Sequence, residues 1–91
     1  MSRIAVYSTR ICPYCVMAKR LLASKGAAYE DLLIDQDPAL REEMQRRAPA
    51  ARTVPQIFIG DTHVGGFDEL AALDRAGELD ELLAPYRDNQ D

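Results

Sequence analysis

The stretch STRICPYCVMAKR, residues 8–20, carries both cysteines of the chain, Cys12 and Cys15, at the point where an apolar strand pattern gives way to a helix. Upstream, RIAVYS (residues 3–8) is rich in apolar and β-forming side chains and ends in polar turn chemistry, which reads as a strand. From Pro13 the period turns helical. Met17, Ala18, Leu21 and Leu22 read as one inward face, Lys19 and Arg20 fall elsewhere, and Gly26 is placed to end the helix in a left-handed conformation. AYEDLLI (residues 28–34) then reads as a second strand. A strand, an amphipathic helix and a second strand at this spacing make a right-handed crossover with the two strands parallel.

Further along, Asp37 is the expected N-cap of a helix with Pro38 at its first position, and Leu40 and Met44 face inward until PAAR (residues 49–52) breaks the pattern. QIFIG (residues 56–60) and THV (residues 62–64) are short apolar strands turned at Gly60 and Asp61 into a hairpin, with Gly65 and Gly66 as a following loop. Leu70 and Leu73 mark another helix that runs to Gly77, and Leu79, Leu82 and Leu83 a short helical turn before Pro85. One domain is expected over residues 1–86, with residues 87–91 as a polar, frayed tail. The predicted fold class is α/β: a mixed sheet of about four strands with helices on both faces. Cys12 then sits at the carboxyl end of the first strand, the kind of edge at which open α/β sheets bind ligands.

Composition narrows the function classes. Ninety-one residues that are 47% apolar suit one domain that buries its own core. Fifteen acidic against 11 basic side chains leave a net charge of −4, which argues against nucleic acid as the partner. No apolar run is long enough to span a bilayer and no signal-peptide pattern opens the chain, so no membrane partner and a cytoplasmic address are expected. A monomer is expected from the lack of an evident apolar surface pattern.

A structural zinc site takes four Cys or His ligands, and the chain offers Cys12, Cys15 and the single His63, so no metal site is expected. A disulfide across so short a loop adds little chain entropy, and the cytosol is reducing. That leaves a thiol pair whose oxidation state changes, beside the plainer reading of two small core side chains. A thiol attacks only as its thiolate. If Cys12 caps the helix, its sulfur faces the unpaired first-turn N–H groups and the positive end of the dipole, while Pro13 sacrifices no needed donor there and Arg10 adds positive charge nearby. Cys15, three residues into the helix, turns toward the core. Cys12 is the expected attacker and Cys15 the resolving thiol.

Tyr14 reads equally as a rim residue beside a bound thiol and as plain packing. Pro55 precedes a buried strand, where a cis Val54–Pro55 bond would turn the Val54 backbone toward a peptide-like ligand. Only about 5–6% of X–Pro bonds are cis, so the residues alone favour trans. His63 reads as an ordinary hairpin residue, because an existing thiolate needs no base.

At this point the chain resembles the dithiol glutaredoxins, over about residues 3–84, and most of all the short bacterial ones. CPYC (residues 12–15) is similar to their active-site sequence, TVP (residues 53–55) to their cis-proline motif, and GGFD (residues 65–68) to their glutathione-binding pattern. The resemblance implies a thioredoxin-like fold and a glutathione site. In it the Val54 backbone, after Thr53 and ahead of a cis Pro55, pairs with the cysteinyl part of glutathione, and the backbone at Gly66 and Phe67 with the Asp68 side chain holds the γ-glutamyl end. The residues suit this: Gly66 permits close backbone approach, and a helix start favours a carboxylate. Asp68 reads as well as a plain helix cap. Many relatives carry Lys where this chain has Thr9, which leaves Arg10, Arg52 and Arg41 as candidates for the glycyl carboxylate, or as plain exposed charges. The RRAPAAR segment (residues 46–52) also lacks the Gly often found in this loop.

The activity implied is glutathione-dependent thiol–disulfide exchange on protein–glutathione mixed disulfides and on protein disulfides such as that of ribonucleotide reductase. Glutathione is the co-substrate, regenerated by glutathione reductase and NADPH, and no bound cofactor is expected. A purely structural or interaction module would leave the redox-competent helix entrance unexplained, and two further rivals stand beside the exchange activity. One is a thioredoxin-reductase-dependent redoxin, against which GGFD speaks. The other is an iron–sulfur carrier built on Cys12 and glutathione, against which Pro13 and Cys15 speak.

Overall fold

The structure, a computed structural model, describes residues 3–86; the tail expected at residues 87–91 lies outside the described residues. Strand β1 (Ile4–Ser8) is buried along its whole length, as a strand covered on both faces must be. Helix α1 (Pro13–Ser24) follows it and ends as Gly26 takes a φ of +73°. Strand β2 (Glu30–Leu33) pairs parallel to β1, from Ala5 opposite Glu30 to Ser8 opposite Leu33, which completes the expected crossover. Helix α2 (Pro38–Arg47) is capped by Asp37, whose carboxylate accepts the Ala39 N–H at 3.0 Å. Strands β3 (Gln56–Ile59) and β4 (Thr62–Gly65) form the hairpin, and β3 lies antiparallel to β1. Helices α3 (Phe67–Arg75) and α4 (Leu79–Leu83) follow, and a short 3-10 turn spans Ala84–Tyr86. The sheet order is β2-β1-β3-β4, so the two buried strands are central and the two half-exposed ones are edges.

Alternation along the central strands builds two cores. Ile4, Val6, Ile57 and Ile59 meet Ala18 and Leu22 of α1, Leu70 of α3 and Leu79 and Leu83 of α4. Ala5, Tyr7 and Phe58 point the other way, to Met44 and Ala48 at α2. Enclosing a Leu side chain contributes roughly 1.5–3 kcal/mol, against about 1 kcal/mol for a helix cap, so packing rather than capping holds α1, α3 and α4 in place. On the α2 face a polar contact adds to this. The hydroxyl of the buried Tyr7 donates to Glu43 and accepts from Arg47 Nη1 at 3.1 Å, and the Arg47 guanidinium lies 3.9 Å from the Phe58 ring centroid.

Two sequence expectations are corrected. The buried face of α1 is Cys15, Ala18 and Leu22, with Met17 44% exposed, because Met17 is rotated about 100° from Ala18 toward solvent. Gly65 is not in a loop but pairs with Ile57 as the last residue of β4. The register shifts between Ile57 and Phe58, since His63 opposes Phe58, and the extra residue is a β-bulge that carries the strand one position further.

Candidate active site

The carboxyl end of β1 leads through Thr9–Ile11 to Cys12, whose extended backbone (φ −158°, ψ 104°) makes it the N-cap of α1. Cys12 Sγ accepts the Cys15 N–H at 3.2 Å, in the place a Ser or Asp oxygen usually takes. Pro13 occupies the first turn, where no donor is lost. Negative charge on this sulfur therefore meets an aimed N–H and the positive end of a helix. Cys15 is fully enclosed, and both cysteines are free thiols. Burial pushes the Cys15 thiol up to about 12; its hydrogen bond with Cys12 acts the same way, while the Thr9 backbone N–H and Lys19 oppose it. One sulfur is half-buried at a helix entrance and the other is sealed beneath it.

Across from Cys12, the Val54 carbonyl lies 3.8 Å from Sγ. The Val54–Pro55 bond is cis, which overturns the trans bond favoured by the residues alone and agrees with the resemblance. This turn is held from behind. Gln56 Nε2 donates to the Thr53 carbonyl at 2.9 Å, Gln56 Oε1 is 2.7 Å from His63 Nε2, and the His63 ring stacks on Phe58 with centroids 4.5 Å apart.

The third wall is the start of α3. Gly66 is the N-cap, and the Glu69 carboxylate accepts its N–H at 2.8 Å, one half of a capping box. Asp68 is thus not the helix cap; it stands exposed in the first turn. Gly65 has a φ of +115°, and a Cβ there would meet Glu69 at 3.1–3.3 Å, so the backbone requires glycine at Gly65. At Gly66 a Cβ would make ordinary contact, 3.5 Å from the Pro55 carbonyl.

Between these walls runs an open groove of about 660 Å³. Arg52, Thr53, Val54 and Pro55 form one side, Gly66, Phe67 and Asp68 the other, and Tyr14 reaches in from α1. Tyr14 is 59% exposed and stacks on Phe67 (centroids 6.4 Å apart, 30° between planes), so it serves as rim rather than core. Arg10 is not brought to the groove: its backbone N–H and Nε reach Asp35 at 3.2 and 3.4 Å. Arg41 is exposed on α2 and also lies off the groove. Sequence reasoning did not find Gln56 or Glu69. The three-residue step from Gly66 to Glu69 is a capping-box spacing and could have signalled the latter; the Gln56–His63 contact depends on the bulged register and has no local signal. Among the described residues no group of three or more His, Cys, Asp or Glu could hold a metal ion.

A half-exposed sulfur at a helix entrance, backed by a second thiol that water does not reach, is an arrangement for disulfide exchange. On this sheet order it defines a thiol–disulfide oxidoreductase of the thioredoxin-like fold. Comparisons with known proteins narrow that class. The Glutaredoxin family model matches residues 4–64. The chain is 51% identical over 84 residues to a glutaredoxin of Pseudomonas aeruginosa, covering 92% of this chain and 99% of that one. It is 51% identical over 83 residues to glutaredoxin 3 of Escherichia coli, covering 91% and 99%. Among solved structures, the buckwheat glutaredoxin–glutathione complex superposes with a TM-score of 0.82 at 32% identity, covering 92% of this chain and 78% of that one. The glutaredoxin of Brucella melitensis gives 0.76 at 49% identity, covering 91% and 89%. The chain belongs to the glutaredoxin family, and its activity is glutathione-dependent thiol–disulfide exchange.

Proposed function

We propose that Cys12 is the attacking thiolate and that the groove holds glutathione with its sulfur toward Cys12. The observation that carries this is the Cys12 sulfur itself, which caps α1 3.2 Å from the Cys15 N–H and 3.8 Å from the Val54 carbonyl at the groove. A tripeptide with an amino group, two carboxylates and a thiol fits such walls. Val54 offers backbone partners to its cysteinyl part, and the exposed Asp68 suits its ammonium. The first turn of α3, behind Gly66 and Phe67, suits the γ-glutamyl carboxylate. Arg52 is the best-supported partner for the glycyl carboxylate, since it lies on the groove and pairs with no carboxylate among the described residues. Arg10 is tied to Asp35 and has less support.

In the reaction, the Cys12 thiolate attacks the glutathione sulfur of a protein–glutathione mixed disulfide. The protein thiolate leaves and takes up a proton, and a second glutathione, attacking as thiolate, releases oxidised glutathione and restores Cys12. For a protein disulfide, Cys15 displaces the mixed partner from Cys12 and closes the Cys12–Cys15 bridge. The electrons come from glutathione, regenerated by glutathione reductase and NADPH, so the chain works without a resident cofactor. Such a cycle runs where glutathione is kept reduced, which supports a cytoplasmic address, with glutathionylated proteins and disulfide enzymes such as ribonucleotide reductase as partners. Residues 1–86 act as one domain and as a monomer.

The test is reduction of a small glutathione mixed disulfide coupled to glutathione reductase and NADPH. Cys12→Ser is expected to abolish turnover and Cys15→Ser to keep it. Loss in both variants would make the two-cysteine route obligatory, and turnover with thioredoxin reductase in the absence of glutathione would remove the groove's assignment.

A further inference from the structure

Lys19 follows Cys15 by four residues in α1, so the two side chains share a face one turn apart. The Lys19 side chain is only 18% exposed, which is uncommon for lysine. Its Nζ lies 2.9 Å from Asp31 Oδ2 on β2 and 3.5 Å from Oγ of Ser8, the fully buried last residue of β1. Ser8 Oγ in turn donates to Asp31 Oδ1 at 2.7 Å. A cation is thus pinned by two strands, one helical turn along α1 from the sealed thiol and off the groove.

We propose that Lys19, anchored by Asp31 and Ser8, is a positioning residue for the two-cysteine route: its ammonium steadies the negative charge that Cys15 carries as it attacks the Cys12–glutathione mixed disulfide. The proposal rests on the roles given above to Cys12 and Cys15. In this step Cys15 gives up its proton, balanced by the one the departing glutathione takes up, and its sulfur bonds to Cys12 Sγ. The sulfur–sulfur bond from Cys12 to glutathione breaks, and glutathione leaves as a thiolate that takes up a proton. The mixed disulfide is the oxidant, and nothing else is consumed. Enclosure of Cys15 makes its anion costly, and a charge acts several-fold more strongly through protein than through water. Asp31 offsets part of that field, but its side chain is 38% exposed and better screened by water than the ammonium.

The experiment mixes the reduced protein with oxidised glutathione, quenches with acid, and follows by mass spectrometry the passage from glutathionylated chain to Cys12–Cys15 disulfide. Lys19→Met is expected to slow closure about tenfold, the effect of one pKa unit on the thiolate fraction. Lys19→Arg, which keeps the charge, is expected to close faster than Lys19→Met. Combined with Cys15→Ser, Lys19→Met is expected to match the glutathione-dependent turnover of Cys15→Ser alone. Unchanged closure in Lys19→Met, equal closure in the Met and Arg variants, or lower turnover in the double variant would each overturn the proposal. Absence of a glutathione adduct on Cys12 in the wild-type chain would overturn the role assignment itself, and the Lys19 proposal with it.

Discussion

Gln56 is 6% exposed, and both ends of its amide are engaged inside the fold, on the Thr53 carbonyl and on His63. It pins the turn from which Val54 presents its backbone to the groove. Gln56→Ala removes two hydrogen bonds, each worth about 1 kcal/mol net. The expected outcome in the coupled assay is a rise of about fivefold in KM for glutathione with kcat changed less than twofold. A lower kcat at constant KM would place its effect on Cys12 instead. At this scale the sequence was most legible where the cause is local. A cysteine followed by proline at a helix start decides which sulfur faces the first-turn N–H groups, and the three-residue step to Cys15 decides which one is sealed. It was least legible where a distant partner intervenes. Arg10 is one residue from Ile11 and two from Cys12, yet Asp35 captures it from the β2–α2 connection.

The elements meet the site through their ends. α1 contributes its N-cap, the loop before β3 its Val54 turn, and α3 its first turn, aimed by Gly65 and fastened by Glu69. Gly65→Ala combines a positive φ with a Cβ as close as 3.1 Å to the Glu69 carboxylate. It is expected to destabilise the fold by about 1–2 kcal/mol and, by displacing Glu69, to raise KM for glutathione. Urea denaturation and the coupled assay read the two effects separately. A variant with normal stability and normal KM would mean that α3 is positioned by Leu70 packing alone. Strand and helix identities were legible from hydrophobic period and from Pro13, Asp37 and Pro38, because these signals act over a few residues. The bulge after His63, which moves Gly65 from loop into strand, was not legible, since it arises from pairing with β3.

For the molecule as a whole, the parallel β1–β2 pair and the β3–β4 hairpin followed from connection length, whereas the β1–β3 pairing at the centre joins segments about fifty residues apart and is set by the two cores that Val6, Tyr7 and Phe58 build. Cys15 ties that interior to the reaction and leaves a mark on stability. In the unfolded chain its thiol titrates near the ordinary 9.0, while burial holds it at about 12 in the fold. Between those values the folded state keeps a proton that the unfolded state has released, so rising pH favours unfolding, by at most about 1.4 kcal/mol per pH unit for this one group. The reduced protein is therefore expected to lose stability as pH rises through 9, most cleanly between about pH 8.5 and 10, before lysine and tyrosine titrate fully. Urea denaturation of the reduced wild type and of Cys15→Ala across that interval measures it. Cys15→Ala is less stable throughout because of the cavity it leaves, but its stability should change less steeply with pH. Parallel slopes would mean that the interior does not hold the Cys15 proton, and with that the contrast between an open and a sealed sulfur would lose its energetic basis.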